Sequence, residues 1–242
     1  MIYRSKRPWI AQQVWKDVLF LHWPIPNDLI QPQIPAPFKM DTYGGKCWIS
    51  IVLFQALHSR PRGIPIFLSQ PDLLQVNIRT YVQLNGVPGV YFLSLDTNSK
   101  STVRGARSLF NLPYRQAHMS FKQDDHGMQF ESKTTNQSAE FGCFKARYTP
   151  TSIQVDQQTG SLAHFLTERY YLWAIKNKKV LRGSISHQPW DLVGAESQFN
   201  VKQRPSFLAA EELYERPIAH YAQSMHAYMH PFERVAIFDQ SV

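Results

Sequence analysis

Apolar and polar residues alternate along much of the chain with a period of two, the spacing of a strand, where successive side chains point to opposite faces. The clearest stretch is Leu73–Leu84. Val76, Ile78, Thr80 and Val82 fall on one side of it, and Gln75, Asn77, Arg79, Tyr81 and Gln83 on the other. This pattern predicts a strand that is half buried, or one whose polar face lines a wet cavity. Residues 46–57 are almost continuously apolar and rich in β-branched and aromatic side chains, which predicts a strand buried on both faces. Further strand-like runs occur at 18–23, 38–43, 90–96, 114–121, 128–133, 140–148, 167–175 and 180–185, and a weakly alternating tail after His220 predicts a closing strand.

Turn residues punctuate these runs. Gly44-Gly45, Asn85-Gly86 and Pro88-Gly89 supply or support the left-handed backbone of tight turns. Short helices are expected after Asn27-Asp28, which can cap a helical turn ended by Pro32 and Pro35; at 103–110, capped by Ser101 or Thr102 and stopped by Pro113; at 162–166, opened by Gly160-Ser161; and at 206–214. Many short strands and few helices predict an all-β barrel carrying small helices. Residues 1–12 are expected to form an arm and 13–242 a single domain, within the usual size of such barrels.

Composition narrows the function classes. The net charge is +8, but the 26 Lys and Arg are scattered, so no basic tail is predicted. The aromatic residues sit mostly in strand-core positions rather than interleaved with basic ones, which argues against nucleic-acid binding. Cys47 and Cys143 form no CxxC pair and are expected to be free and reduced. No signal-peptide pattern and no run of ~20 apolar residues is present, so a soluble cytoplasmic protein without membrane contact is expected.

Candidate chemistry concentrates in residues 77–121. Arg79 and Tyr81 share a strand face, Arg107 lies on the helix after the partner strand, and Tyr114 and Arg115 follow Pro113. If those faces meet, guanidinium and phenol groups converge, and arginine presents a planar fork suited to a carboxylate or phosphate. Each arginine can instead satisfy a structural carboxylate such as Asp96 or Glu168. Glu168, followed by Arg169-Tyr170-Tyr171 on an expected strand, is a candidate acid, base or ligand-orienting group. His226 and His230 are four apart, the spacing that puts two imidazoles on one helix face, but no third ligand follows and no metal is expected. No GxSxG elbow, Cys/His pair, Walker motif or Rossmann glycine pattern occurs.

The ordered motifs NIRTYV, NGVPGVYFLSLD, ARSLFNLPYRQAHM, LAHFLTERYYLWA and LRGSISHQPW resemble the YqjF-like bacterial family of unknown function, from about Trp15 to Arg234. Through it the chain is similar to acetoacetate decarboxylase. That resemblance implies a cone-shaped β-barrel with a buried polar cavity. It also implies that Tyr114 stands where the decarboxylase carries its Schiff-base lysine, Arg115 where it carries the neighbouring lysine, and Gln75 about where it has a pocket glutamate. A phenol forms no imine and arginine stays protonated, so Schiff-base decarboxylation is not expected.

The expected function is therefore binding of a small organic, anionic ligand by Arg79, Tyr81, Arg107, Tyr114, Arg115 and Glu168, without a cofactor; association into oligomers is left open. A rival is a lysine-independent enzyme acting on a keto acid or related carbonyl compound, with Tyr114 or Glu168 as the acid–base group. A third is a structural or partner-binding barrel filled by its own side chains.

Overall fold

The computed structural model describes residues 7–135, 142–202 and 216–237; the helix expected at 206–214 lies outside them. Among the described residues the strands are β1 (Ala11–Ile25), β2 (Lys39–Met40), β3 (Cys47–Pro61), β4 (Leu73–Leu84), β5 (Val87–Thr97), β6 (Tyr114–Asp124), β7 (Gly127–Thr134), β8 (Cys143–Gln154), β9 (Tyr171–Lys176), β10 (Lys179–Ser186), β11 (Val193–Lys202), β12 (Ile218–Met229) and β13 (Glu233–Ile237). Among the same residues the α-helices are α1 (Asn27–Ile30), α2 (Lys100–Phe110) and α3 (Leu162–Thr167). None is long and apolar enough to cross a membrane.

The strands form one sheet in the order β13-β10-β9-β5-β6-β7-β8-β11-β12-β1-β3-β4-β2, and two further pairings, β4 with β5 and β10 with β12, close it on itself. Two closed circuits result. The larger runs β5-β6-β7-β8-β11-β12-β1-β3-β4, and the smaller runs β5-β9-β10-β12-β1-β3-β4. Five strands, β12, β1, β3, β4 and β5, belong to both and make a common wall. The branch points are β5 and β12. β5 pairs in parallel with β6 at Leu95 to Thr97 and with β9 at Val90 and Tyr91. β12 pairs with β11 at His220 and Tyr221, and with β10 at Tyr228 and Met229.

Period-two alternation lets one wall serve two interiors. Leu19, Leu21 and Trp23 of β1, Ile49, Ile51 and Leu53 of β3, and Val76 and Ile78 of β4 face the larger circuit. There they pack with Met128, Phe130, Phe144 and Tyr148 into a filled core. Truncating a side chain such as the fully buried Phe130 would cost about 3–5 kcal/mol. The alternate residues, Phe20 of β1, Val52 and Phe54 of β3, and Gln75, Asn77 and Arg79 of β4, face the smaller circuit and line a cavity.

Local chemistry sets the corners. Asn85 and Gly86 both take positive φ, 51° and 77°, and join β4 to β5 as a two-residue hairpin. Gly89 lies where β5 meets β9: a Cβ there would sit 2.5 Å from Trp173 Nε1 and 2.9 Å from the Tyr171 carbonyl oxygen. Ser99, rather than Ser101 or Thr102, caps α2, its Oγ accepting from the Thr102 N–H. Asn111, at φ 54°, ends α2 ahead of Pro113.

Several expected elements are corrected. Strand pairing reaches back to Ala11, inside the stretch read as an arm, because Ala11 pairs with Met229 and Pro61. The run at 38–43 is a strand only at Lys39–Met40. Residues 167–170 are not strand: Thr167 ends α3, Glu168 caps it, and β9 begins at Tyr171. His226 lies on β12 and His230 beyond its end, so helical spacing does not relate them. Among the described residues no group of three or more His, Cys, Asp or Glu is placed to hold a metal ion.

Candidate functional site

The cavity in the smaller circuit has a volume of about 300 Å³, and every strand of that circuit contributes to its lining. Its polar wall is the outward alternation of β4. Arg79 donates from Nη2 to the Leu166 carbonyl at 3.1 Å and lies over the rings of Phe20 and Tyr81, at 5.8 and 5.9 Å. Its Nε is buried without a hydrogen-bond partner, and no carboxylate among the described residues lies within ion-pair distance of it. Two residues away, the side-chain carbonyl of Asn77 is also buried without a partner. Buried charges are normally paired, because leaving water is costly.

Arg169 shows the contrast. It also lines the cavity, but its Nη1 is 2.5 Å from Asp41 Oδ2 and its Nε donates to the Phe165 carbonyl at 2.6 Å. Burial lowers its pKa from the usual arginine value, and Asp41 opposes that shift. Arg169 is thus neutralised within the protein.

Tyr114, at the start of β6, lines the cavity and hydrogen-bonds Gln75 of β4. Burial pushes its pKa up to about 12, with the Gln75 bond opposing. At neutral pH it is a phenol able to donate or accept a hydrogen bond, not a phenolate base.

Another part of the lining is aromatic. Trp15 and Trp190 stack at 6.0 Å with an interplanar angle of 16°, and Phe20 meets Trp190 edge-on at 5.0 Å. Trp190 Nε1 donates to the Thr167 carbonyl at 3.2 Å, and its main-chain N–H donates to Glu168 Oε1 at 3.0 Å. The Tyr170 hydroxyl donates to Glu168 Oε2. Burial, then Glu168, raise the Tyr170 pKa.

Of the six residues singled out in the sequence, Arg79 and Tyr114 line the cavity. Tyr81 is fully buried behind the wall, bonded to the Leu166 carbonyl at 2.8 Å and to Ser50 Oγ at 2.5 Å, with Ser50 in turn 2.6 Å from His22 Nδ1. Glu168 is not in the lining but holds Trp190 and Tyr170, which are. Arg107 is exposed on α2, its Nε donating to the Tyr114 carbonyl at 2.6 Å, and it borders a surface groove instead. Arg115 points away from Tyr114, as strand neighbours do. It makes a two-point pair with Asp96 at 2.6 and 2.8 Å and reaches Ser94 Oγ at 3.2 Å. Burial raises the Asp96 pKa, against the opposing pull of Arg115. The cavity residues outside that set include Asn77, Arg169, His187, Trp15 and Trp190. Of these, Asn77 had a sequence signal in its place on the polar face of β4, and Arg169 in its run with Glu168, Tyr170 and Tyr171. No lysine is among the described lining residues.

A family model described as an uncharacterized conserved protein, DUF2071, matches residues 12–226. The chain belongs to the DUF2071 family. This DUF2071 chain is 34% identical over 226 residues to the uncharacterized protein YqjF of Bacillus subtilis (strain 168), covering 93% of each chain. It superimposes on acetoacetate decarboxylase from Legionella pneumophila with a TM-score of 0.67 at 11% identity, over 98% of this chain and 91% of that one. It also superimposes on the enduracididine biosynthesis enzyme MppR complexed with pyruvate, with a TM-score of 0.68 at 10% identity, over 97% and 93%. The family and the fold expected from the ordered motifs are thereby shown: mainly β, with a few short helices, like acetoacetate decarboxylase.

Proposed function

We propose that this DUF2071 protein binds a small organic anion in the cavity of its smaller circuit, held by Arg79, without Schiff-base chemistry. The observation that carries the reading is the Arg79 guanidinium, placed in the cavity wall with one main-chain acceptor and no carboxylate partner among the described residues. A ligand carboxylate would accept from its remaining N–H groups in the bidentate geometry arginine favours. Arg169, already held by Asp41, adds shape more than charge. The aromatic side supplies apolar contact area, and a volume of about 300 Å³ suits a small ligand. One structural neighbour is complexed with pyruvate, itself a small carboxylate, which supports the same class. An imine intermediate is not part of this reading, because no lysine is among the described lining residues and Tyr114 stays a phenol.

The test is ligand-dependent thermal stabilisation by a panel of pyruvate, benzoate and acetate. A ligand that binds the native state raises its melting temperature. Carboxylates should stabilise the wild type, and Arg79→Met should weaken their binding roughly 10–100-fold, the range expected for a charged hydrogen bond. Arg115→Met should lower stability, because it leaves Asp96 without its partner, yet preserve carboxylate binding. Equal stabilisation of wild type and Arg79→Met, or none in either, would overturn the reading.

A further inference from the structure

We propose that His187 is the second recognition point of this cavity, and that the anion bound there is a flat aromatic carboxylate bearing a hydroxyl or N–H donor for it. This rests on the anion-binding reading above and extends it to the other end of the ligand.

His187 follows β10 and lines the cavity. Its Nδ1 lies 2.6 Å from the Gln188 main-chain carbonyl oxygen. A carbonyl oxygen can only accept, so in the neutral ring the proton is on Nδ1 and Nε2 carries the lone pair. Nε2 has no hydrogen-bond partner among the described residues. It is the one polar atom of the ring left for a ligand, and it can only accept. The ring is held in place by Tyr170, stacked at 4.8 Å, and by Trp190 at 5.2 Å. Burial, joined by the Arg79 charge, lowers the His187 pKa against the opposing effects of Gln188 and Glu168, so the ring is neutral at pH 7.

The cavity therefore makes two opposite demands. Arg79 offers donors and requires an acceptor; His187 offers an acceptor and requires a donor. The other charged groups nearby satisfy neither. Glu168 is held by the Tyr170 hydroxyl and the Trp190 N–H, and Arg169 by Asp41. A dicarboxylate would set an oxygen lone pair against that of Nε2. A hydroxy- or amino-substituted carboxylate satisfies both ends. A flat ring can stack on one of Trp15, Phe20 and Trp190 and meet another edge-on, and all three belong to the lining. Offset and edge-on contacts with such rings add to area burial.

Calorimetric titration can separate these claims, using benzoate, 3- and 4-hydroxybenzoate and the two matching methoxybenzoates, which keep the oxygen but lose the donor. At least one hydroxybenzoate should bind the wild type about 10-fold more tightly than benzoate and than its methoxy counterpart, the worth of one added hydrogen bond. His187→Phe should abolish that preference. If that variant does not fold, the hydroxy-to-methoxy ratio in the wild type still decides. Hydroxybenzoates no tighter than benzoate, or a preference that persists in His187→Phe, would overturn the role of His187 while Arg79-dependent benzoate binding left the anion reading standing. Failure of every carboxylate to bind would overturn both.

Discussion

Arg79 Nη2 and the Tyr81 hydroxyl donate to one acceptor, the main-chain carbonyl of Leu166, at 3.1 and 2.8 Å. Leu166 lies in the last turn of α3, where carbonyls have no partner within the helix. Two residues on one face of β4 thus close the end of a helix and fix the direction of the cavity's cation. Tyr81 is itself tied through Ser50 to His22, so the cation is anchored from deep within the wall.

Replacing Tyr81 with Phe removes a donor from the Leu166 carbonyl and a partner from Ser50, both buried. Stability to urea should fall by about 1–3 kcal/mol with an unchanged m-value. Carboxylate affinity should fall as well, because Arg79 loses its neighbour on that carbonyl. Unchanged unfolding midpoints would show that the Tyr81 hydroxyl is dispensable.

Acid should destabilise the fold through a buried histidine pair. The rings of His22 and His220 are 5.3 Å apart. Burial lowers the His220 pKa from 6.5 to about 4. Burial, the neighbouring His220 and the Arg79 charge hold His22 well below 6.5. As pH falls through 6.5 the unfolded chain takes up protons that the folded protein refuses. The stability is therefore complete above that pH and is lost as pH drops toward 4. His220 alone should account for a loss on the order of 3 kcal/mol across this window. Urea midpoints measured from pH 7 to pH 4 should trace the fall, and His220→Gln should flatten it.

Gly89 makes the seam between β5 and β9 possible, because a Cβ there would collide with backbone as well as with the Trp173 ring. Gly89→Ala should cost about 1–3 kcal/mol or more through overpacking. The loss should appear in the denaturant midpoint. A variant as stable as the wild type would mean that the seam yields without strain.

The sequence was most informative where a residue's environment is local. The alternation over Leu73–Leu84 gave the bounds of β4 as observed, and it put Gln75, Asn77 and Arg79 on the cavity face. The same alternation separates Tyr114 from Arg115: adjacent strand residues point to opposite faces, so only one of them could line the cavity. Glu168 was misread because its strand-like apolar neighbours, Leu172 and Trp173, belong to β9, whereas α3 extends to Thr167. Trp15, His187 and Trp190 carried no usable signal. Their convergence depends on the pairing of β12 with both β1 and β10, a closure between residues far apart in the chain. The ordered motifs supplied the fold; they could not supply the ligand, since Tyr114 stands where the resemblance implies a lysine.

The wall shared by the two circuits bears on how selectively the hollow can choose. Its strands cannot spread around a larger guest without pulling Leu21, Ile51 and Ile78 out of the packed interior behind them. On that side the hollow is therefore held at a fixed width, and any widening would have to come from β9 and β10.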